Sequence, residues 1–145
     1  MRTQGIAVVA SLLGITAVIA APGQGIEATW LVEDGSTKIR FEPCGSDLCG
    51  RIVWLKNPND PDTGKPVLDK YNPEPKLRTR PLLGLVIFTG LKPAKANQWA
   101  GSVYNASNGN DYDVTVKLTG SAAVEVEGCG LAGLICQSQK WSRAD

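Results

Sequence analysis

The residues whose spacing points most directly to chemistry are four cysteines, set as C-x4-C at Cys44 and Cys49 and as C-x6-C at Cys129 and Cys136. Such pairs serve either disulfide bonds or zinc. The chain holds no histidine, and these spacings are wide for a zinc ribbon, so no metal is expected. Four cysteines allow three pairings. The spacing favours Cys44–Cys49 and Cys129–Cys136, each closing one short loop. Loops this short gain only about 2 kcal/mol apiece by chain-entropy reasoning.

The lack of histidine also removes the usual general base. Neither G-x-S-x-G nor H-E-x-x-H occurs. Glu125 and Glu127 alternate with Val124 and Val126, which suits a solvated strand face better than a catalytic pair. No catalytic residue is identified, no cofactor is expected, and the composition argues against an enzyme. Asn59-Asp60-Pro61-Asp62-Thr63-Gly64 resembles the start of a calcium loop. Tyr71 occupies the twelfth position from Asp60, where a bidentate glutamate is required.

Two other sets are candidates for binding. Phe41, Trp54 and Phe88 fall on apolar stretches that would line a β-barrel, either stacking on a ligand or forming ordinary core. Arg51, Arg78 and Arg80 form a basic set near a long irregular stretch. They could hold a carboxylate at a barrel mouth, or pair with Asp60, Asp62, Asp69 or Glu74 and pin that stretch down.

The elements that would position these residues begin after residue 20. Residues 1–20 have a basic start at Arg2, an apolar run over 6–19 and small residues at Ala20 and Ala21, the layout of a cleaved secretory signal. The run is too short for a membrane-spanning helix, so no stable membrane anchor is expected. Removing this leader takes away one base and no acid, which leaves 21–145 neutral. A neutral chain lacks the electrostatic footprint for nucleic acid or an anionic membrane. A periplasmic or secreted location also suits the disulfides.

Within 21–145 the pattern is all-β. Thr37, Ile39 and Phe41 alternate with Lys38, Arg40 and Glu42, as Tyr112, Val114, Val116 and Leu118 do with Asp111, Asp113, Thr115 and Lys117. Period two with polar residues on one side marks half-buried antiparallel strands. Further strands are expected over 26–32, 50–56, 82–90, 98–105, 122–127 and 134–143. Residues 57–80 hold five prolines and form one long loop. About eight short strands with recurrent turn signals predict a single up-and-down antiparallel barrel. Its interior is either filled or holds one small ligand.

Four segments carry a family resemblance: C-G-S-D-L-C-G-R-I-V-W-L (44–55), N-P-E-P-K-L-R-T-R-P-L-L-G (72–84), W-A-G-S-V-Y-N-A-S-N-G-N-D-Y (99–112) and G-C-G-L-A-G-L-I-C-Q-S-Q-K-W-S-R (128–143). Together they resemble a bacterial exported family known as domain of unknown function 2147. The resemblance implies a lipocalin-like barrel outside the cytoplasm and no assigned activity. Lipocalin-type barrels place a G-x-W near the first strand against an arginine on the last. Trp30 and Arg143 are the matching positions, with Ala28 in place of the glycine. On this footing the expected partner is a small apolar or amphipathic ligand held between the strands. The alternative is a packed interaction module or inhibitor whose loops bind an envelope protein or glycan.

Overall fold

Alternating apolar and polar residues build eight strands: β1 (Thr29–Leu31), β2 (Thr37–Cys44), β3 (Asp47–Leu55), β4 (Val86–Lys95), β5 (Gln98–Asn105), β6 (Asn110–Leu118), β7 (Ala123–Gly130) and β8 (Ile135–Arg143). The computed structural model describes Gly14 and residues 25–145. Apart from Gly14, the leader expected at 1–20 and its cleavage point lie outside the described residues. The strands run in sequence order, each antiparallel to the next, and close into a barrel. Closure comes from β1 pairing with β8, with Trp30 opposite Arg143 and Leu31 opposite Ser142. Every strand then has two neighbours, so the sheet has no open edge. The fold is a lipocalin-like, eight-stranded barrel.

In such a barrel successive connections alternate between the two ends. The β2–β3, β4–β5 and β6–β7 turns share one end with the start of β1 and the finish of β8. The β1–β2, β5–β6 and β7–β8 turns share the other end with the long β3–β4 loop. The two ends are packed differently. Ile26, Ala28, Trp30, Phe41, Leu91, Val116 and Val124 are essentially inaccessible to solvent and plug the first end. Trp30 adds a hydrogen bond from Nε1 to the Ile26 carbonyl at 2.9 Å. The other end is hollow.

Both disulfides join near neighbours, Cys44 to Cys49 and Cys129 to Cys136. The first clamps the β2–β3 turn at the plugged end. The second sits on opposed positions of β7 and β8 beside the hollow end.

The strands expected over 50–56 and 82–90 are corrected by two irregularities. The first is a bulge between β2 and β3. Ile39 faces Ile52, and Lys38 faces Trp54, so Val53 has no opposite residue. One extra residue reverses the alternation beyond it. The second lies in β4, which begins at Val86 and continues through Lys95. Residues 82–85 form a turn instead, with the Leu85 N–H donating to the Leu82 carbonyl. Register shifts between Thr89 and Lys92 then carry β4 past Gly90 and bring Leu91 into the core.

Candidate functional site

The hollow end encloses a cavity of about 960 Å³, open to solvent between the turns. That lies at the upper end of the roughly 300–1,000 Å³ range of small-molecule pockets. Its floor is aromatic. Phe88 and Trp141 face the cavity, their ring centroids 5.7 Å apart and perpendicular. Phe41 lies with them, edge-on to Phe88 at 5.2 Å and parallel to Trp141 at 6.3 Å. The sequence makes room for this cluster at Gly50. A Cβ there would come within 2.8 Å of Phe88 and 2.9 Å of Phe41, closer than carbon atoms approach.

Apolar residues on consecutive strands form the wall above the floor: Ile39, Ile52, Ile87, Val103, Val114 and Val126. The bulge at Val53 brings Leu55 into this wall. Higher up the lining becomes polar, through Asn105, Ser107, Asn108, Tyr112, Gln137 and Gln139. Several of these groups are already oriented. Asn108 Nδ2 donates to the Tyr112 hydroxyl at 2.8 Å. Trp141 Nε1 donates to Gln139 Oε1 at 2.8 Å.

The long loop is fixed to one side of the mouth by a buried carboxylate. Asp69 is fully inaccessible to solvent. It accepts from the Tyr104 hydroxyl at 2.6 Å, Asn72 Nδ2 at 2.9 Å and Arg80 Nε at 2.9 Å. Burial is the largest single influence on its ionisation and pushes the pKa up. The hydrogen bonds from Tyr104, Asn72 and Arg80, with the Arg80 charge, outweigh it and hold the carboxyl below its ordinary range. Burial, then the Asp69 contact, raises the Tyr104 hydroxyl. The loop also meets the β5–β6 turn at Gly109, where φ is +74° and any Cβ would run into the Tyr71 carbonyl. From its far end Leu82 reaches into the cavity wall.

The residues singled out from the sequence do not come together at one site. Phe88 faces the cavity, and Phe41 packs against it from the plug without lining the space. Trp54 does not line the cavity; it stands half exposed with the Lys38 ammonium 5.1 Å from its ring centroid. The physical reason is the Val53 bulge, which turns Trp54 outward and Leu55 inward. The three arginines do not converge on the mouth either. Arg51 donates to Glu42 Oε1 at 2.9 Å and to the Gly84 carbonyl at 2.7 Å. Arg78 donates to the Asn72 carbonyl at 2.7 Å, and Arg80 is engaged with Asp69. No lysine or arginine lines the cavity among the described residues.

Arg143 lies at the plugged end with its guanidinium 4.8 Å from the Trp30 ring centroid. Its Nε donates to the Ser121 carbonyl at 2.7 Å. The calcium-like stretch is a capped turn. Asp60 Oδ1 accepts from the Asp62 and Thr63 amides at 2.8 Å and 3.3 Å.

Two residues that matter here escape a motif search. Trp141 shares the inward face of β8 with Gln137, Gln139 and Arg143, so counting in twos from Arg143 would have found it. Asp69 lies in an irregular loop, where no periodicity signals burial.

A family model described as an uncharacterized protein conserved in bacteria, DUF2147, matches residues 28–143. No curated protein matches the sequence. Among solved structures, protein HP1028 from Helicobacter pylori, described as belonging to the lipocalin family, superimposes with a TM-score of 0.69. The two are 21% identical, and the match covers 83% of each chain. At that identity the likeness establishes the barrel architecture alone.

Proposed function

The chain belongs to the DUF2147 family of uncharacterised bacterial proteins, and from that premise we propose that its barrel is exported and binds a small apolar or amphipathic molecule. The observation that carries this reading is the cavity itself: an aromatic floor, aliphatic walls and a polar mouth, in that order from bottom to top. Burying an alkyl chain between such walls gains about 25 cal/mol per Å² of apolar surface, while a polar head group stays among groups that hydrogen-bond. Because Trp141 forms part of the floor, an occupant would perturb its emission. Export is supported by the two disulfides, which persist in oxidising compartments.

The test is titration of the oxidised protein, without residues 1–20, with N-phenylnaphthylamine, an uncharged apolar fluorophore. Saturable enhancement with one probe per chain supports the reading. A linear, non-saturating response contradicts it.

One observation favours a second reading, an interaction module. Leu131, Leu134 and Ile135 project from the β7–β8 tip, 69%, 83% and 57% exposed, and an exposed apolar cluster of this kind suits a protein contact. This reading expects Leu134→Ser, outside the cavity lining, to weaken capture of an envelope protein while leaving probe binding intact.

A further inference from the structure

The distribution of charge around the cavity points to a narrower ligand class. We infer that the mouth selects against anionic head groups such as carboxylates, and takes a neutral or cationic one. This inference rests on the binding reading above.

Three observations support it. The aromatic floor offers nothing to a polar head, so an amphiphile enters tail first and leaves its head at the level of Asn105, Asn108 and Gln137. These side chains supply both donors and acceptors, which suits a hydroxyl or an amide. The charged residues of the lining are Asp34 and Asp111, both acids. Asp34 is fixed in place by the Ser36 amide, which donates to its Oδ1 at 2.9 Å.

The third observation concerns the nearest candidate counter-ions. A carboxylate needs a cation or several aligned donors to leave water. Arg80 stands beside the lining, 5.8 Å from the Tyr104 ring centroid, and Asp69 occupies it. Arg51 and Arg78 are held by Glu42 and by the Asn72 carbonyl. An anionic head would therefore face two carboxylates and no lining cation, the Lys56 charge already acting on Asp34. A hydroxyl would meet no such repulsion.

The experiment is displacement of bound N-phenylnaphthylamine at low ionic strength by three ligands with one tail: dodecanol, laurate and dodecyltrimethylammonium. Dodecanol and the ammonium are both expected to displace the probe at lower concentrations than laurate, which should be at least about tenfold weaker. Dodecanol is also less soluble in water, so a charge variant must separate repulsion at the mouth from simple partition. In Asp34→Asn with Asp111→Asn, which keeps the acceptor oxygen for Ser36, laurate should gain at least about threefold while dodecanol stays within about twofold. Laurate matching dodecanol, laurate matching the ammonium, or no gain for laurate in the variant would each overturn the inference. Failure of the probe itself to bind is a distinct result that removes the binding reading first.

Discussion

The guanidinium of Arg143 lies 4.8 Å from the ring centroid of Trp30, and the two residues are opposite partners across the β1–β8 seam. β1 is only three residues long, so this seam has the fewest backbone pairs of any in the barrel. The stacked cation sits over a fully buried indole and reaches the Ser121 carbonyl, which joins β1, β8 and the β6–β7 connection at one point. Arg143→Ala should therefore destabilise the protein by about 1–2 kcal/mol, through lost stacking and a carbonyl left without its donor. Urea denaturation followed by tryptophan emission measures this. An unchanged midpoint would show that the seam holds without the contact.

Asp69 gives the loop a pH dependence. Its folded pKa is lowered, so its contribution to stability is fully present above the ordinary carboxylate pKa of about 3.9 and is lost as pH falls through the lower folded value. Acidification from about pH 6 to about pH 3 should thus reduce the denaturation midpoint more steeply in the wild type than in Asp69→Asn. Parallel curves would contradict the assignment.

Tyr104→Phe tests the same anchor at neutral pH. It removes one of three donors to a carboxylate with no access to water, at a cost of about 1–3 kcal/mol. The cost should fall on the loop first, as faster proteolytic cleavage within residues 57–80. Cleavage at the wild-type rate would show that Asn72 and Arg80 suffice.

Gly50→Ala places a methyl group where Phe41 and Phe88 already lie. The floor must shift to admit it, which should cost about 1–3 kcal/mol and change the near-ultraviolet circular dichroism of the aromatic cluster. A variant with wild-type stability and spectrum would mean that the floor is loosely packed.

Much of the barrel is legible in the sequence because β2 and β6 alternate cleanly and their inward residues are apolar. Trp30 and Arg143 are placed at the seam by the family resemblance, which sets a tryptophan near the first strand against an arginine on the last. What cannot be read depends on single-residue insertions and distant contacts. The Val53 bulge leaves no composition signal, yet it sends Trp54 outward and Leu55 inward. Asp69 looks like any loop acid until Tyr104 and Asn72 are brought beside it. Whether the interior is filled or hollow depends on the summed volume of side chains from eight strands; here aromatics fill one end, and valines and isoleucines leave the other open.

The hollow end is the claim on which the functional reading stands. Val114 lines it from β6 and is nearly inaccessible from outside. Val114→Trp would project an indole into the space without crossing the wall. Titration of this variant and the wild type with N-phenylnaphthylamine, beside their thermal unfolding, is the most direct measurement. A hollow barrel predicts saturable binding by the wild type and loss of binding in Val114→Trp, with a melting temperature as high as the wild type's or higher. Equal binding by both, or collapse of the variant because no space was there to fill, would contradict it.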